Sequence, residues 1–376
     1  LFVVFKTNIQ DNEREEFGVK IGLSALQGKD PYIQNATTKY AEAYFTHKGQ
    51  DMEVQVVPTR HLTLEQIKNK ELDGKPITIG MERTPHQTAF MKQALKGKEH
   101  EVRILKQFMK DTGLYDSSMK SQGFSGYSAE VLIHNFGSFE NTLKFFANFK
   151  SGSVVGGIKG NDNNIFSLID PIDPNRDLIS AFSPIKIGRT IKVAKHFLEH
   201  GEPPKRSEPV ELPSVSLSYN TSQFNEDTLV GQVRRTQKSI VKQLERLGFN
   251  IPSQEEKITD DFTVDVPRTS MSNDNNKITM TFGTDNLEIP KTYIDRGVPL
   301  SIPNAVDSYK KANTGLKFIE QDGKLKAIKT RQFTHLADAL KYLATSTGDV
   351  QSTGVVQDMK KGITTNIGKS KFENLI

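Results

Sequence analysis

Cysteine is absent from this chain of 376 residues. That excludes disulfides, thiolate metal sites and cysteine nucleophiles, and it fits a cytoplasmic protein. No apolar run approaches the roughly 18 residues a membrane-spanning helix needs. No signal peptide is visible: Leu1–Phe5 is apolar but far too short, and no basic segment precedes it. The first residue is leucine, not methionine, so residue 1 need not be the natural start. Internal repeats are missing. Ser151–Asn164 (SGSVVGGIKGNDNN) is glycine-rich, but it has neither the spacing of the dinucleotide fingerprint nor the Gly-Lys-Ser/Thr end of a Walker loop. It reads as a hairpin or flexible connection without chemistry. Hydrophobic content of 35% and a mean hydropathy of −0.50 describe a soluble, rather polar protein.

The length suggests two or three domains. A net charge of +5 and a pI near 9.0 point mildly to an anionic partner, most often nucleic acid. Leu1–Phe5 reads as a buried strand, and Glu13–Leu26 as a helix with Phe17, Ile21 and Ala25 on its apolar face. Asp51–Val57 alternates and reads as a strand of the same sheet, closed by Pro58; Glu53 and Gln55 share one face. His61–Leu72 reads as a short amphipathic helix. Another starts at Arg83-Thr84-Pro85, with Thr84 as N-cap and Pro85 at the first helical position. The chain then reads as mostly helical to about His200. Asp170–Arg176 (DPIDPNR) is a turn with Asx caps, although two carboxylates and an arginine also suit metal or phosphate. His196-Phe197-Leu198-Glu199-His200 matches the H-x-x-E-H zinc-peptidase pattern, but Gly201 and two prolines end the helix at once.

Gly201–Pro213 is the best linker candidate. Beyond it, Asp227–Leu247 is a long helix with Leu229, Val233, Ile240, Leu244 and Leu247 on one face and Arg234, Arg235, Lys238, Lys242 and Arg246 on the other. Such a basic face is commonly just solvated, yet it suits a phosphate backbone. Ser270–Asn275 reads as a polar turn, Lys277–Phe282 and Lys324–Lys329 as strands, His335–Ala344 as a helix, and Lys360–Ile376 as a frayed basic end.

The most informative stretch is Lys96–Tyr127. Val102, Leu105, Phe108 and Met109 form one helix face, with Lys106 at its edge and able to reach into a cleft. Gly113 is a plausible C-cap. Tyr115 follows, and Gly123-Phe124-Ser125-Gly126-Tyr127 leads into an apolar helix start. Glycines before a helix N-terminus let the backbone approach an anion, and the free amides there favour phosphate; a snorkelling lysine and a turn are the plain alternative.

At Gly123–Tyr127 the chain resembles the archaeal, class I tRNA CCA-adding nucleotidyltransferases. Arg83-Thr84-Pro85 looks like that family's D-R-T-P-x-H segment, and Lys96–Phe108 is similar to its K-x-K-x-x-E-V-R-x-L-K-x-F helix. Asp170–Arg176 resembles D-P-V-D-x-x-R. Asp227–Phe249 resembles the family's long helix through Gln232, Arg235, Leu244, Glu245 and Phe249. Tyr40-Ala41-Glu42 and Val54–Pro58 also have counterparts. The order holds along nearly the whole chain.

The resemblance implies a multidomain α/β and α+β fold: the remnant of a polymerase-beta-like nucleotidyltransferase sheet (1–76), a mostly helical central nucleotide-binding domain (77–205) and an α+β C-terminal body and tail that binds tRNA (206–376). It implies addition of C, C and A to tRNA 3′ ends from CTP and ATP with magnesium, by attack of the 3′-hydroxyl on an α-phosphate and release of pyrophosphate. Lys106, Tyr115 and Arg176 map to triphosphate contacts, joined by Arg83 and Thr84, with Ser125 and Gly126 as pocket wall; Arg234, Arg235, Lys238 and Lys242 map to the tRNA side. Departures are equally specific. The family's Gly-Ser loop and paired carboxylates precede the strand resembling Leu1–Phe5, and its third carboxylate is Gln55 here. Ala43 and Gln87 stand where the family has histidines. Gln55 and Glu53 are then the only metal candidates, and no intact catalytic set is expected. The reading is a truncated or impaired CCA-adding enzyme; the alternatives are a non-catalytic tRNA-binding homologue and a nucleotidyltransferase making another product, such as an oligoadenylate. A homodimer is left open.

Overall fold

The apolar run at the start of the chain forms strand β1 (Phe2–Phe5), the edge of a four-stranded sheet. The computed structural model describes every residue except 7–8, 36–37, 78–79, 119–120, 158–163, 181, 206–207, 222–225, 260–261, 275–276, 346–353 and 373–376. Two units emerge: Leu1–Pro204 with Ile258–Phe262, and Lys205–Lys257 with Thr263–Ile376.

In the first unit β1 is followed by α1 (Asp11–Ala25), β2 (Tyr32–Asn35), β3 (Lys39–His47) and β4 (Gln50–Arg60), in sheet order β1-β4-β3-β2. β1 pairs in parallel with β4, as the shared-sheet expectation required. Pro58 does not close β4, which runs on to Arg60. The proline is tolerated because β3 pairs no further than Val56, while the amides of Val57 and His61 serve the β1 side.

α1 departs from its expected facing. Phe17 and Ile21 are 50% and 45% exposed, and the buried stripe is Arg14, Gly18 and Gly22. A Cβ on Gly18 would lie 2.2 Å from Pro58 Cβ, and one on Gly22 would lie 2.7 Å from Ala41 Cβ. The helix therefore approaches the sheet so closely that only glycine fits, and the apolar positions one residue earlier rotate outward. Arg14 Nη1 meets Glu82 Oε1 at 2.6 Å, both side chains nearly buried, and Gly80 N donates to the other Glu82 oxygen at 2.8 Å. This pair ties α1 to the 3-10 turn Met81–Arg83.

After β4, the helix expected over His61–Leu72 is only α2 (Leu64–Asn69), begun by a Thr63–Gln66 capping box and ended by Lys70 in the left-handed region. Glu71 and Leu72 instead form β5, paired with β6 (Lys75–Pro76). The helical core follows as α3 (Thr84–Ala94), α4 (Glu99–Asp111), α5 (Gly126–Phe136) and α6 (Phe139–Ala147); then the parallel pair β7 (Ser153–Val155) and β8 (Phe166–Leu168), then α7 (Pro184–His200). Val102, Leu105, Phe108 and Met109 are the buried residues of α4, as its spacing predicts. Part of the glycine-rich stretch, 158–163, lies outside the described residues.

The second unit comprises β9 (Val210–Asn220), α8 (Glu226–Leu247), β10 (Ser253–Thr259), β11 (Phe262–Pro267), β12 (Thr269–Asp274), β13 (Lys277–Gly283), β14 (Thr292–Ile294), β15 (Val298–Pro299), α9 (Pro303–Ala312), β16 (Lys317–Gln321), β17 (Lys324–Thr330), α10 (Leu336–Thr345), α11 (Gly354–Lys361) and β18 (Thr364–Phe372). Its main sheet runs β12-β13-β9-β18, covered on one face by α8, α10 and α11. Two expectations change here. The polar turn at Ser270–Asn275 is strand β12, and the frayed end is largely strand β18, paired to β9 from Thr364 to Phe372. Pairing of β12 against β13 and of β18 against β9 supplies what the local polarity does not: backbone partners along a full ladder.

In the small sheet of β14, β15, β16 and β17, Asp295 accepts from the Ala327 amide at 3.0 Å and pairs with Lys329 Nζ at 2.9 Å. Burial alone would raise this carboxyl, but the Tyr309 hydroxyl, the Ala327 amide and Lys329 hold it at about 2. A group depressed in the fold contributes stability above its ordinary pKa and loses it as pH falls toward the folded value. Asp295→Asn is therefore expected to flatten the loss of urea midpoint between about pH 4 and pH 2. Glu82→Ala, which leaves the buried Arg14 only its longer pairing with the exposed Asp11 at 3.4 Å, is expected to cost about 3 kcal/mol in the first-unit urea transition, with Arg14→Met/Glu82→Leu recovering most of it.

Candidate functional site

The site is built around Asp170, which is 0% exposed at the exit from β8. Its carboxylate accepts from Gln87 Nε2 at 2.6 Å, Tyr127 OH at 2.9 Å, the Ile172 amide at 2.9 Å and Arg176 Nη1 at 3.2 Å. Those four donors fill the lone-pair positions of a buried anion. Burial and the Asp170 charge push the Tyr127 hydroxyl far above its ordinary pKa, so it stays a donor. Asp173, 1% exposed, accepts from the Asn175 amide at 3.2 Å and Arg83 Nη1 at 3.0 Å. The Asx caps expected of the 170–176 turn are present, and both arginines sit on its buried carboxylates. Arg176 keeps 39% of its side chain exposed and so offers its remaining donors outward.

Thr84 is not an N-cap. The 3-10 turn runs straight into α3, so Thr84 is its first helical residue, and Arg83 at the cap position makes no side-chain cap bond. Pro85 lies in the first turn as its missing amide allows.

On the neighbouring helices a second group converges. The loop after α4 folds back through a bridge between Tyr115 and Phe124, with Asp116 N bonded to Phe124 O at 2.9 Å. Gly123 is required there, because a Cβ would lie 2.3 Å from Leu114 O. Phe124 is fully buried against Phe182 and Phe146, which anchors the loop. Ser125 caps α5 by accepting from Ser128 N at 2.9 Å. The amides of Gly126 and Tyr127 then have no intrahelical acceptor and point out of a positive helix end. A Cβ at Gly126 would lie 2.9 Å from Tyr115 OH and 3.6 Å from Lys106 Nζ. A hydroxyl, an ammonium and free amides thus meet at one glycine, a donor set suited to phosphate oxygens. Tyr127 links this cradle to Arg176, since its hydroxyl rests on the same Asp170.

Gln55 and Glu53 face the same side of β4, and Gln55 Nε2 donates to Glu53 Oε1 at 2.8 Å. Directly across on β3, opposite Gln55, stands Glu42, 3% exposed. Spacing alone does not single it out; its alternation with Tyr40 and Tyr44 is the available signal. Glu42 beside the exposed Tyr44 pushes that phenol's pKa up. Magnesium is what the family resemblance implies at this sheet. The donors do not fit it: the Gln55 amide is neutral and its nitrogen donates to Glu53, and among the described residues no group of three or more histidine, aspartate or glutamate side chains is placed to hold a metal. The zinc pattern also dissolves, as His196 and His200 stack at 4.2 Å in the last turn of α7 with no third ligand among the described residues.

In the second unit, α8 exposes Arg235, Lys238 and Lys242, while Arg234 is half-buried and burial lowers its pKa. Lys324 and Lys326 share one face of β17 and, with Arg296, line a cavity of about 370 Å³.

Comparison with known proteins follows the same division. Residues 100–205 match the family model described as tRNA nucleotidyltransferase, second domain, and residues 213–365 match CCA-adding enzyme, C-terminal domain. The CCA-adding enzyme of Archaeoglobus fulgidus is 29% identical over 270 residues, 66% of this chain and 58% of that protein. That of Methanosarcina barkeri is 29% identical over 276 residues, 67% of this chain and 57% of that protein. For the Saccharolobus solfataricus enzyme the figures are 29% over 310 residues, 79% and 68%. The chain spans less than three fifths of the first two relatives. Fold and first match together give residues 100–205 as a domain of the tRNA nucleotidyltransferase kind. With the second match, the chain is a homologue of archaeal CCA-adding enzymes over about two thirds to four fifths of its length.

Gly126→Ala is expected to weaken binding of inorganic triphosphate about tenfold by calorimetry, with the urea midpoint nearly unchanged, because the added methyl displaces the Tyr115 hydroxyl. Asp170→Ala should instead cost about 3 kcal/mol or more of stability, since it strands an arginine and three neutral donors.

Proposed function

We propose that the chain holds the nucleotide and the tRNA in a CCA-adding nucleotidyltransferase, and that its own catalytic power is impaired. The family reaction is template-independent addition of C, C and A to the tRNA 3′ terminus from CTP and ATP. In this reading Lys106, Tyr115, Arg176 and the α5 amides grip the triphosphate, with Arg83 and Thr84 beside them and Ser125 and Gly126 forming the wall. Residues 1–76 act as head, 77–205 as central nucleotide-binding domain and 206–376 as the tRNA-binding body and tail. Arg235, Lys238 and Lys242 face the tRNA backbone; Arg234, half-buried, contributes through the helix more than by direct contact. The carrying observation is the convergence of Lys106 Nζ and Tyr115 OH on Gly126. Their positive charge and donors would stabilise the pyrophosphate as it leaves. No step is assigned to magnesium, because the donors at Gln55 do not suit it. Among the described residues no helix is long and apolar enough to cross a membrane, and a cytoplasmic tRNA substrate fits that.

The neutral Gln55 favours a second reading, a homologue that binds tRNA without transferring nucleotides. One assay separates the two: incubation with tRNA lacking CCA, labelled CTP and ATP, and a divalent ion, alongside equilibrium binding. Saturable CTP and tRNA binding with slow incorporation is expected, and Gln55→Asp should speed incorporation. Absence of incorporation in both proteins would leave the binding homologue, and failure to bind CTP or tRNA would sink both readings. Arg235→Ala and Lys238→Ala are each expected to lower the salt dependence of tRNA binding by about one unit of slope.

A further inference from the structure

We infer that Glu130 is a positioning residue that fixes Lys106 at the mouth of the phosphate cradle; this rests on the nucleotide-binding reading above. Lys106 Nζ lies 2.6 Å from Glu130 Oε1, with the two side chains 27% and 28% exposed. Glu130 stands one helical turn beyond Gly126 on α5, so its carboxylate lies on the face that begins at the cradle. Lys106 comes from a different helix, α4, and reaches this point only by extending its stem. An unpartnered lysine at such a half-exposed edge samples many rotamers, and ordering it on ligand binding carries an entropic cost. Glu130 meets that cost in advance.

A carboxylate near a triphosphate also repels it, so the opposite role needs weighing: Glu130 as a competitor that parks the lysine away from the ligand. The geometry decides. While bonded to Glu130, the ammonium is already 3.6 Å from the Gly126 Cβ position, beside the Tyr115 hydroxyl that is 2.9 Å from the same point. It is held at the cradle, not drawn from it. An ammonium has three donors, so one bond to Glu130 leaves two for phosphate oxygens. The arrangement parallels Arg176 on Asp170: each cation of the site has a carboxylate behind it that sets its direction. The two differ in burial. Asp170 is fully buried and structural, whereas Glu130 is partly exposed and can be changed without opening the core.

The test is CTP binding by calorimetry on the full chain at fixed ionic strength, for wild type, Glu130→Ala, Glu130→Gln, Lys106→Met and the Glu130→Ala/Lys106→Met pair, with urea midpoints measured in parallel. Glu130→Ala is expected to weaken CTP binding about tenfold, and Glu130→Gln, which keeps an acceptor for the lysine, by less. In the Lys106→Met background Glu130→Ala should have no further weakening effect, a coupling that a general loss of structure would not produce. Tighter CTP binding by Glu130→Ala would overturn the inference in favour of competition, and equal weakening in both backgrounds would overturn it in favour of a purely structural role. A wild-type chain that does not bind CTP overturns the nucleotide reading itself; one that binds CTP through Lys106 but ignores Glu130 overturns only this inference.

Discussion

One buried carboxylate organises the central part of the first unit. Asp170 is closed off from solvent and takes donors from α3, from α5 and from its own turn. A buried anion is tolerable only when its acceptor positions are filled, so the elements that fill them cannot drift independently. The orientation of Arg176 and the placement of the α5 N-terminus are both consequences. Next to it, Glu82 and Arg83 are consecutive residues that pair in different directions, one with Arg14 of the head helix and the other with Asp173 of the turn. The Met81–Thr84 segment thereby fastens the head sheet to the turn that carries Arg176.

Two glycines show how one residue type serves opposite ends. At Gly18 the missing side chain is replaced by Pro58, and the result is a helix pressed against a sheet. At Gly126 the neighbours of the missing side chain are a hydroxyl and an ammonium. The first is packing. The second leaves polar groups facing a space that a phosphate suits, and the helix end adds amides aimed at the same place.

The sheet of β1, β4, β3 and β2 carries different chemistry. Gln55 donates to Glu53, and the buried Glu42 lies opposite. These groups satisfy one another. A sheet face whose polar atoms are internally paired has little left for a divalent ion, whereas the cradle on α4 and α5 keeps donors turned outward.

Regular, strongly patterned elements are legible in the residues themselves. The buried face of α4, the extent of α8, the Asx turn at Asp170 and the strand β13 follow from local spacing, because a single periodicity or turn chemistry suffices to specify each. Edge elements are not legible in this way. β12 and β18 look like a turn and a tail, since their polar sequences become strands only through pairing, β12 with the next strand β13 and β18 with β9 far back in the chain. The periodicity of α1 points its apolar residues inward, and the fold reverses this because close approach to Pro58 outweighs burial of Phe17 and Ile21. For the site, the sequence by itself determined the residue types: a lysine at a helix edge, a tyrosine after it, a glycine at a helix start and an arginine in a two-aspartate turn. Only the tertiary structure decided that Lys106 and Tyr115 meet at Gly126, that Glu130 stands behind the lysine, and that Asp170 joins that cradle to Arg176. These groups are spread over Lys106 to Arg176 in the chain, and no local periodicity encodes distances set by helices packing against one another.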